Sequence, residues 1–399
     1  MRPEGARLHV ESGRSDLASG RAAVAQAVAG WTDDPEVVFA FASTAQDPAE
    51  TARALAERFP RSRVVGCTTS GEHLMGEHTR GTLVVSGLSG TGVRWGAAMV
   101  RGLADFDAAR AAALVEELFA DAGLVADDVD PSELFCLGFL DGLSRREEQV
   151  SALVADALGG IRLVGGSAGD DFLLRKTQVF LNGVASSDAA VFLLGRAGEG
   201  GPRFEILKHQ HFTSGEAQLA VTRVSEGGRR LIELDGRIAA EAYAEAIGAS
   251  AATMTADVAL LHPMTFRCKG SVYVRSISRV NDDGSMDFLC ALEEGMVLEI
   301  GGHQDMVETL ERDLTLMSKR GQPSFLLRFN CVLRALESAQ REQTARLGAA
   351  WKRAAVSSIG FDTYGEQLDG LHINQTVLAF ALYARDSHEA EVPTEWKAP

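Results

Sequence analysis

Three stretches of this chain carry residues whose types and spacing could do chemistry. The first is His209-Gln210-His211-Phe212, which closes the strand-like run Phe204–His211. On a strand, i, i+2 spacing sends both imidazoles to one face. Two imidazoles on one face can bind a metal, or one can ligate a haem iron while the other supplies a hydrogen bond. Strand histidines with no ligand are the plainer alternative. The second stretch, Gly165-Gly166-Ser167-Ala168-Gly169, fits G-x-S-x-G, where a strained strand-to-helix turn exposes a serine nucleophile. Here Asp170–Thr177 leads into another strand, which points to a tight glycine turn and not to a nucleophile elbow. The third, Gly66-Cys67-Thr68-Thr69-Ser70-Gly71-Glu72-His73, sets a thiol near an imidazole. Its hydroxyl and carboxyl neighbours would not depress a thiol pKa, so Cys67 reads as structural. His9, His262, His303, His372 and His388 show no tight ligand spacing, and no H-E-x-x-H occurs.

The elements that must position these residues alternate. Strand-like runs Val37–Ser43, Arg63–Gly66, Leu83–Leu88, Leu134–Leu140 and Leu163–Gly165 are interleaved with helical patterns over 47–59, 106–122 and 145–158. After Thr177 strands crowd together: Gln178–Leu181, Ala189–Leu194, Phe204–His211, Leu219–Val224 and Arg230–Leu234. Helices are expected at 236–247, 303–319 and 331–349, with strands at 271–279, 286–291, 296–300, 354–360 and 373–383. This is an α/β chain of two layered domains with mixed sheets, 1–200 and 201–399, divided at the glycine-rich stretch Gly195–Pro202. No exact internal repeat is visible, and the tail after Asp386 reads as disordered.

Composition bounds the function. At 399 residues the chain exceeds one ordinary core, and its 46 % hydrophobic content supports a sizeable one. Lys+Arg total 39 against Asp+Glu 55, a formal net charge of −16, so the long-range field repels nucleic acid and anionic membranes. Five scattered cysteines form no C-x-x-C pair, and no run of 18 apolar residues occurs. The expected location is the cytoplasm.

Several motifs occur together in one order: Gly66–Glu72, Gly165–Asp170, Leu234–Tyr243, Tyr273–Ile277 and Gly360–Gln367. In this the chain resembles FIST proteins, a bacterial sensory family, over both the N-terminal and the C-terminal FIST domain. His211-Phe212, Val221-Thr222, Tyr273–Ile277, Cys331–Glu337 and His372–Thr376 resemble the nitric-oxide-sensing haemoprotein branch called NosP. That resemblance implies a non-enzymatic sensor that binds haem b iron and nitric oxide. Its partner in trans would be a histidine kinase or a cyclic-di-GMP enzyme (diguanylate cyclase or phosphodiesterase), with biofilm control as output and homo-oligomers allowed. His211 is then the axial ligand and His209 its support. Phe212 and Tyr273 are expected in the pocket wall, with Phe204, Met264 and Phe266, and Arg275 is expected on a propionate. The branch often has two adjacent histidines before the Phe, where this chain has His209-Gln210-His211. Nitric oxide would weaken the bond to His211 and release its strand. The rival reading is a haem-free sensor of an amino acid or another small polar ligand, clamped by Asp170, Arg175 and Arg275.

Overall fold

The sequences VVFAFA, LFCLGFL and FLLRFNC of Val37–Ala42, Leu134–Leu140 and Phe325–Cys331 are near-continuous apolar runs. Runs of that kind suit strands covered on both faces, and in the computed structural model all but Asn330 of these residues are buried. The structure describes residues 8–384 apart from 33, 126–128, 199–200, 251–252 and 269; the expected disordered tail and His388 lie outside the described residues.

Each apolar run is the centre of an equivalent unit. It pairs in parallel with the next strand, Arg63–Thr68, Arg162–Ser167 or Ser357–Thr363, after a helical crossover. On its other side it pairs antiparallel with Leu83–Ser89, Ala189–Ala197 or Val377–Tyr383. A fourth strand, His9–Ser15, Val93–Arg101 or Arg203–His209, adds antiparallel at the edge. Between the parallel and the last antiparallel strand, each unit sends out a hairpin that completes the sheet of another unit. Glu72–Leu74 and Glu77–Thr79 of the first unit join the third sheet, on Ser357–Thr363. Val179–Leu181 and Val184–Ser186 of the second join the first, on Arg63–Thr68. Glu366–Leu368 and Leu371–Ile373 of the third join the second, on Arg162–Ser167. The hairpin turns Met75-Gly76, Asn182-Gly183 and Asp369-Gly370 all have two positive φ angles, as two-residue hairpins with the native twist require.

The three sheets pack face to face on one aromatic core. Phe39 lies 5.8 Å from Phe325, Phe41 4.6 Å from Phe361 and Phe139 5.8 Å from Phe329, so rings of all three sheets touch. Helices cover the outer faces, among them Pro48–Arg58, Ala108–Ala122, Glu147–Ala157 and Met306–Ser318. Between His209 and Phe325 the third unit carries an inserted antiparallel sheet with its own core, including Leu219, Leu231, Tyr243, Met264 and Phe288.

Several expectations change in detail. The chain contains a threefold repeat of topology, with a sequence trace in Thr69-Ser70-Gly71-Glu72 and Thr363-Tyr364-Gly365-Glu366. The helix expected over 331–349 is two, Val332–Gln340 and Thr344–Ala354, broken where Glu342 takes a positive φ. The strand expected to run to His211 stops at His209, so the two imidazoles do not share a strand face. The stretch 195–202 lies where the chain passes from the second unit to the third.

Candidate functional site

The exchanged hairpin Glu72–Thr79 carries the densest chemistry. Its tight turn sets His73 directly opposite His78, with rings stacked 4.7 Å apart. The third sheet brings Asp362 between them: Oδ1 lies 2.7 Å from His73 Nε2 and Oδ2 lies 2.7 Å from His78 Nε2. Asn330 Nδ2 also donates to Asp362 Oδ1, at 2.7 Å. Burial alone would raise the Asp362 pKa, yet the two histidines hold it well below the usual carboxylate range. Burial pushes His73 down to about 4, so its ring is neutral at pH 7. For His78, burial is outweighed by the charge and hydrogen bond of Asp362, and its pKa rises.

These histidines open onto a cleft of ≈ 30 Å³ lined also by Arg328, Asn330, Arg334, Ser338, Thr344 and Trp351. Arg328 is 2 % exposed, and its Nε and Nη2 have no hydrogen-bond partner. Its guanidinium sits 5.0 Å from the Trp351 ring centre. Burial lowers Arg328 to about 10, opposed by the charge of Asp362; Arg334, equally buried, is also lowered to about 10. Both remain cations at neutral pH. A buried guanidinium with unmet donors is costly unless something anionic meets it, and its planar fork matches an oxyanion.

The residues expected to hold haem are placed differently. His211 is fully buried; its Nε2 lies 2.9 Å from Glu337 Oε2, and Arg334 Nη1 donates to its Nδ1 at 3.0 Å. With Nδ1 accepting, the ring proton is on Nε2 and donates to Glu337. Neither nitrogen is free for iron, and His211 does not fit an axial ligand. His209, also fully buried, points instead to Asp313 through Nδ1 at 2.9 Å, and its Nε2 has no partner. A buried imidazole with Nδ1 on a carboxylate and Nε2 unused is the donor state that metal-ligating histidines adopt. Phe212 packs on His211 at 4.1 Å between ring centres. Tyr273 and Arg275 are elsewhere: Tyr273 packs at a tilt against Phe266 and lies under Lys208 Nζ, while Arg275 donates to the His372 carbonyl at 2.8 Å. Phe204 packs between Phe135 and Phe380, and Met264 belongs to the inserted core.

The other expected groups are structural. Cys67 is fully buried, which raises its thiol well above the usual value. Ser167 is buried and receives a hydrogen bond from Gln367 Nε2 at 2.8 Å. Asp170 is saturated, accepting from the amides of Leu174, Arg175 and Lys176 and from the Tyr364 hydroxyl. It staples a loop and has no capacity left to clamp a ligand.

Sequence reading passed over His78, Asp362 and Arg328. The first had a signal: His73-Leu74-Met75-Gly76-Glu77-His78 places two histidines symmetrically about a turn. Asp362 lies within the motif Gly360–Gln367 with nothing local to single it out as a ligand, and Arg328 had no signal, because the hairpin meets both across most of the chain.

Models of known families match most of the chain: the FIST N domain over residues 36–237 and the FIST C domain over 239–369. No curated protein matches the sequence. Among solved structures, the chain is similar to cyanuric acid hydrolase from A. caulinodans, with a TM-score of 0.37 and 9 % identity, over 94 % of this chain and 99 % of that one.

Proposed function

The chain belongs to the FIST family of signal-transduction sensor domains, and from that premise we propose that it senses a small anion bound in the cleft at Arg328. One observation carries the reading: a guanidinium 2 % exposed, with two unmet donors, lining a cavity of ≈ 30 Å³. About 10–15 Å³ of such volume holds one water, so the cleft suits formate, acetate, nitrite, nitrate or the carboxylate end of a larger molecule. Asn330 and His78 supply further polar groups, and Trp351 closes the apolar side. The clamp is therefore Arg328 with Arg334, in place of the expected Asp170, Arg175 and Arg275.

The cleft is well placed to convert binding into a signal. Arg334, which lines it, also holds His211, and the next turn of its helix offers Glu337 to both His211 and His303. An anion that draws Arg334 toward the cleft weakens its bond to His211 and shifts the helix Val332–Gln340 against the inserted sheet. Such a shift needs different affinities for the two arrangements. The output passes to a separate protein, a histidine kinase or a cyclic-di-GMP enzyme, as the family resemblance implies. The test is calorimetric titration of the full chain with each anion. Binding that disappears in Arg328→Met is the expected result; heat of binding unchanged in that variant overturns the reading.

A second reading, haem with nitric oxide as the signal, is favoured only by the unused Nε2 of His209. A bound haem would supply an iron that takes nitric oxide. His209 would hold it, with Asp313 fixing the tautomer, and His211 would stay with Glu337. Haem is far larger than the cleft beside Arg334, since ligand pockets of drug size run to about 300–1,000 Å³. An absorption spectrum of protein reconstituted with haem checks this reading. It requires a Soret band that His209→Ala abolishes and His211→Ala leaves in place; a spectrum of free haem counts against it.

A further inference from the structure

We propose that His73, His78 and Asp362 form a binding site for a divalent first-row metal ion, with an open coordination position facing the Arg328 cleft. One ligand atom from each residue lies within 4.8 Å of the others, and all three side chains are at least four-fifths buried. Two imidazoles and one carboxylate with a position left open are a donor set used by zinc and ferrous sites. Tetrahedral coordination at about 2.0–2.2 Å sets ligand atoms roughly 3.3–3.6 Å apart, so the two 2.7 Å histidine–carboxylate contacts would open slightly to admit the ion.

The repeat provides the independent argument that the fold does not require these residues. Register places Thr68, Ser167 and Asp362 at equivalent strand ends, opposite Ala42, Leu140 and Asn330. The exchanged hairpins place Phe180 with Ala185, Gln367 with His372, and His73 with His78 at the matching cross-strand positions. One sheet fills the position with Thr68, a phenylalanine and an alanine. The second fills it with Ser167, Gln367 and His372, neutral polar groups joined by hydrogen bonds. The third alone combines two imidazoles with a carboxylate, and it alone of the three lines the cleft. A structural hairpin contact is thus achieved twice without a ligand set. Asn330, donating to Asp362, orients the carboxylate as the groups around metal ligands do.

Metal capture replaces the two Nε2–H···O hydrogen bonds with two Nε2–metal bonds and one carboxylate–metal bond. His73, neutral with its proton on Nε2, gives that proton to solvent and takes one on Nδ1, whereas a His78 that starts as imidazolium keeps its Nδ1 proton and releases the one on Nε2 to solvent. The open position faces the cationic cleft, where an anion or a water completes the coordination.

The experiment is titration of zinc into the full chain stripped with EDTA, followed by calorimetry, with cobalt(II) as a visible-absorption probe. One equivalent of zinc and a cobalt band of tetrahedral or five-coordinate type are expected. His73→Gln and Asp362→Ser import the residues of the second sheet and should fold, checked by circular dichroism. Each should lose affinity by more than ~100-fold, beyond the about 10–100-fold that altered outer contacts cost. His303→Gln, in the other histidine–glutamate group with His211 and Glu337, should bind zinc as the parent does. In the unmodified chain, imidazole NMR signals of His73 and His78 should shift on zinc addition. No zinc binding, binding untouched by His73→Gln, or shifts confined to His211 and His303 overturns the proposal. The inference is independent of the anion reading: Arg328→Met should abolish anion binding without weakening zinc.

Discussion

At the scale of single residues, the molecule places ionisable groups where water cannot reach them. Glu72 and Glu366 occupy the same position in two exchanged hairpins, each accepting from a threonine three residues before it and another ten residues after it. Burial raises Glu72 to about 7 and Glu366 to about 8, against hydrogen bonds that lower them. A carboxyl raised in the folded state stabilises fully below its unfolded value of 4.5, and that contribution is lost as pH rises through the folded pKa. The buried histidines act in the opposite sense. Burial lowers His73, His211 and His372 to about 4 and His209 to about 3, so they cost stability only as pH falls below 6.5. Between about pH 7.5 and 8.5, a unit or more above the unfolded histidine value, these four are almost wholly neutral in both states, and the raised groups, the glutamates and His78, remain. Thermal unfolding midpoints should therefore fall by a few degrees across that range, and Glu366→Gln should flatten the decline. A Glu366→Gln profile with the parent slope would show that Glu366 does not titrate there.

At the scale of elements, the exchanged hairpins decide the site, and their turns can be tested separately from their chemistry. Gly76 has φ 86°, and a Cβ there would collide with the Gly348 carbonyl and meet Lys352 Cβ at 2.9 Å. Gly30 has φ 81° with open space around it. Left-handed backbone costs a residue with a Cβ about 1–2 kcal/mol, so Gly30→Ala should lose about that much. Gly76→Ala should lose clearly more, because the turn must also lift from the helix Thr344–Ala354. Denaturant midpoints of the two variants give the comparison; equal losses would mean that the hairpin tip is not held by that helix. Elements of this kind were partly legible in the sequence. Leu134–Leu140 declares itself as a short apolar run with two phenylalanines and Arg230–Leu234 as a short leucine- and isoleucine-rich run after Gly227-Gly228, and their limits agree with the structure. The destination of a three-residue strand such as Glu72–Leu74 is not encoded locally, since its pairing partner is set by packing across the whole chain. For the same reason the alternation of Phe204–His211 suggested a shared face for two histidines. The strand actually ends at His209, and Asp313 and Glu337 draw the two rings to different helices.

At the scale of the whole molecule, hairpin exchange ties the three units into one cooperative body. The third sheet is completed by the first unit, the first by the second and the second by the third. Cutting at Gly198 separates the 72–79 hairpin from the sheet it completes and leaves the second sheet without its 366–373 edge. A fragment ending there should lack a cooperative thermal transition, whereas the intact chain should show a single calorimetric one. A cooperative fragment would show that the exchange is not needed for stability. The repeat escaped the sequence because only turns and a few polar positions survive of it, such as Asn182-Gly183 and Asp369-Gly370, while the third unit is split by an inserted sheet. The family assignment was legible from loop motifs, and the FIST N and FIST C models cover those loops. Among the described residues no helix is long and apolar enough to cross a membrane.

The central claim is that Arg328 holds an anion, and diffraction from crystals grown in bromide tests it most directly. Bromide scatters anomalously, suits a cleft of this volume and needs only the donors that Arg328 leaves unmet. The account predicts an anomalous peak within hydrogen-bonding distance of Arg328 Nε and Nη2, lost in Arg328→Met crystals. Bromide peaks elsewhere on the surface, with only water density or none beside Arg328, would contradict it.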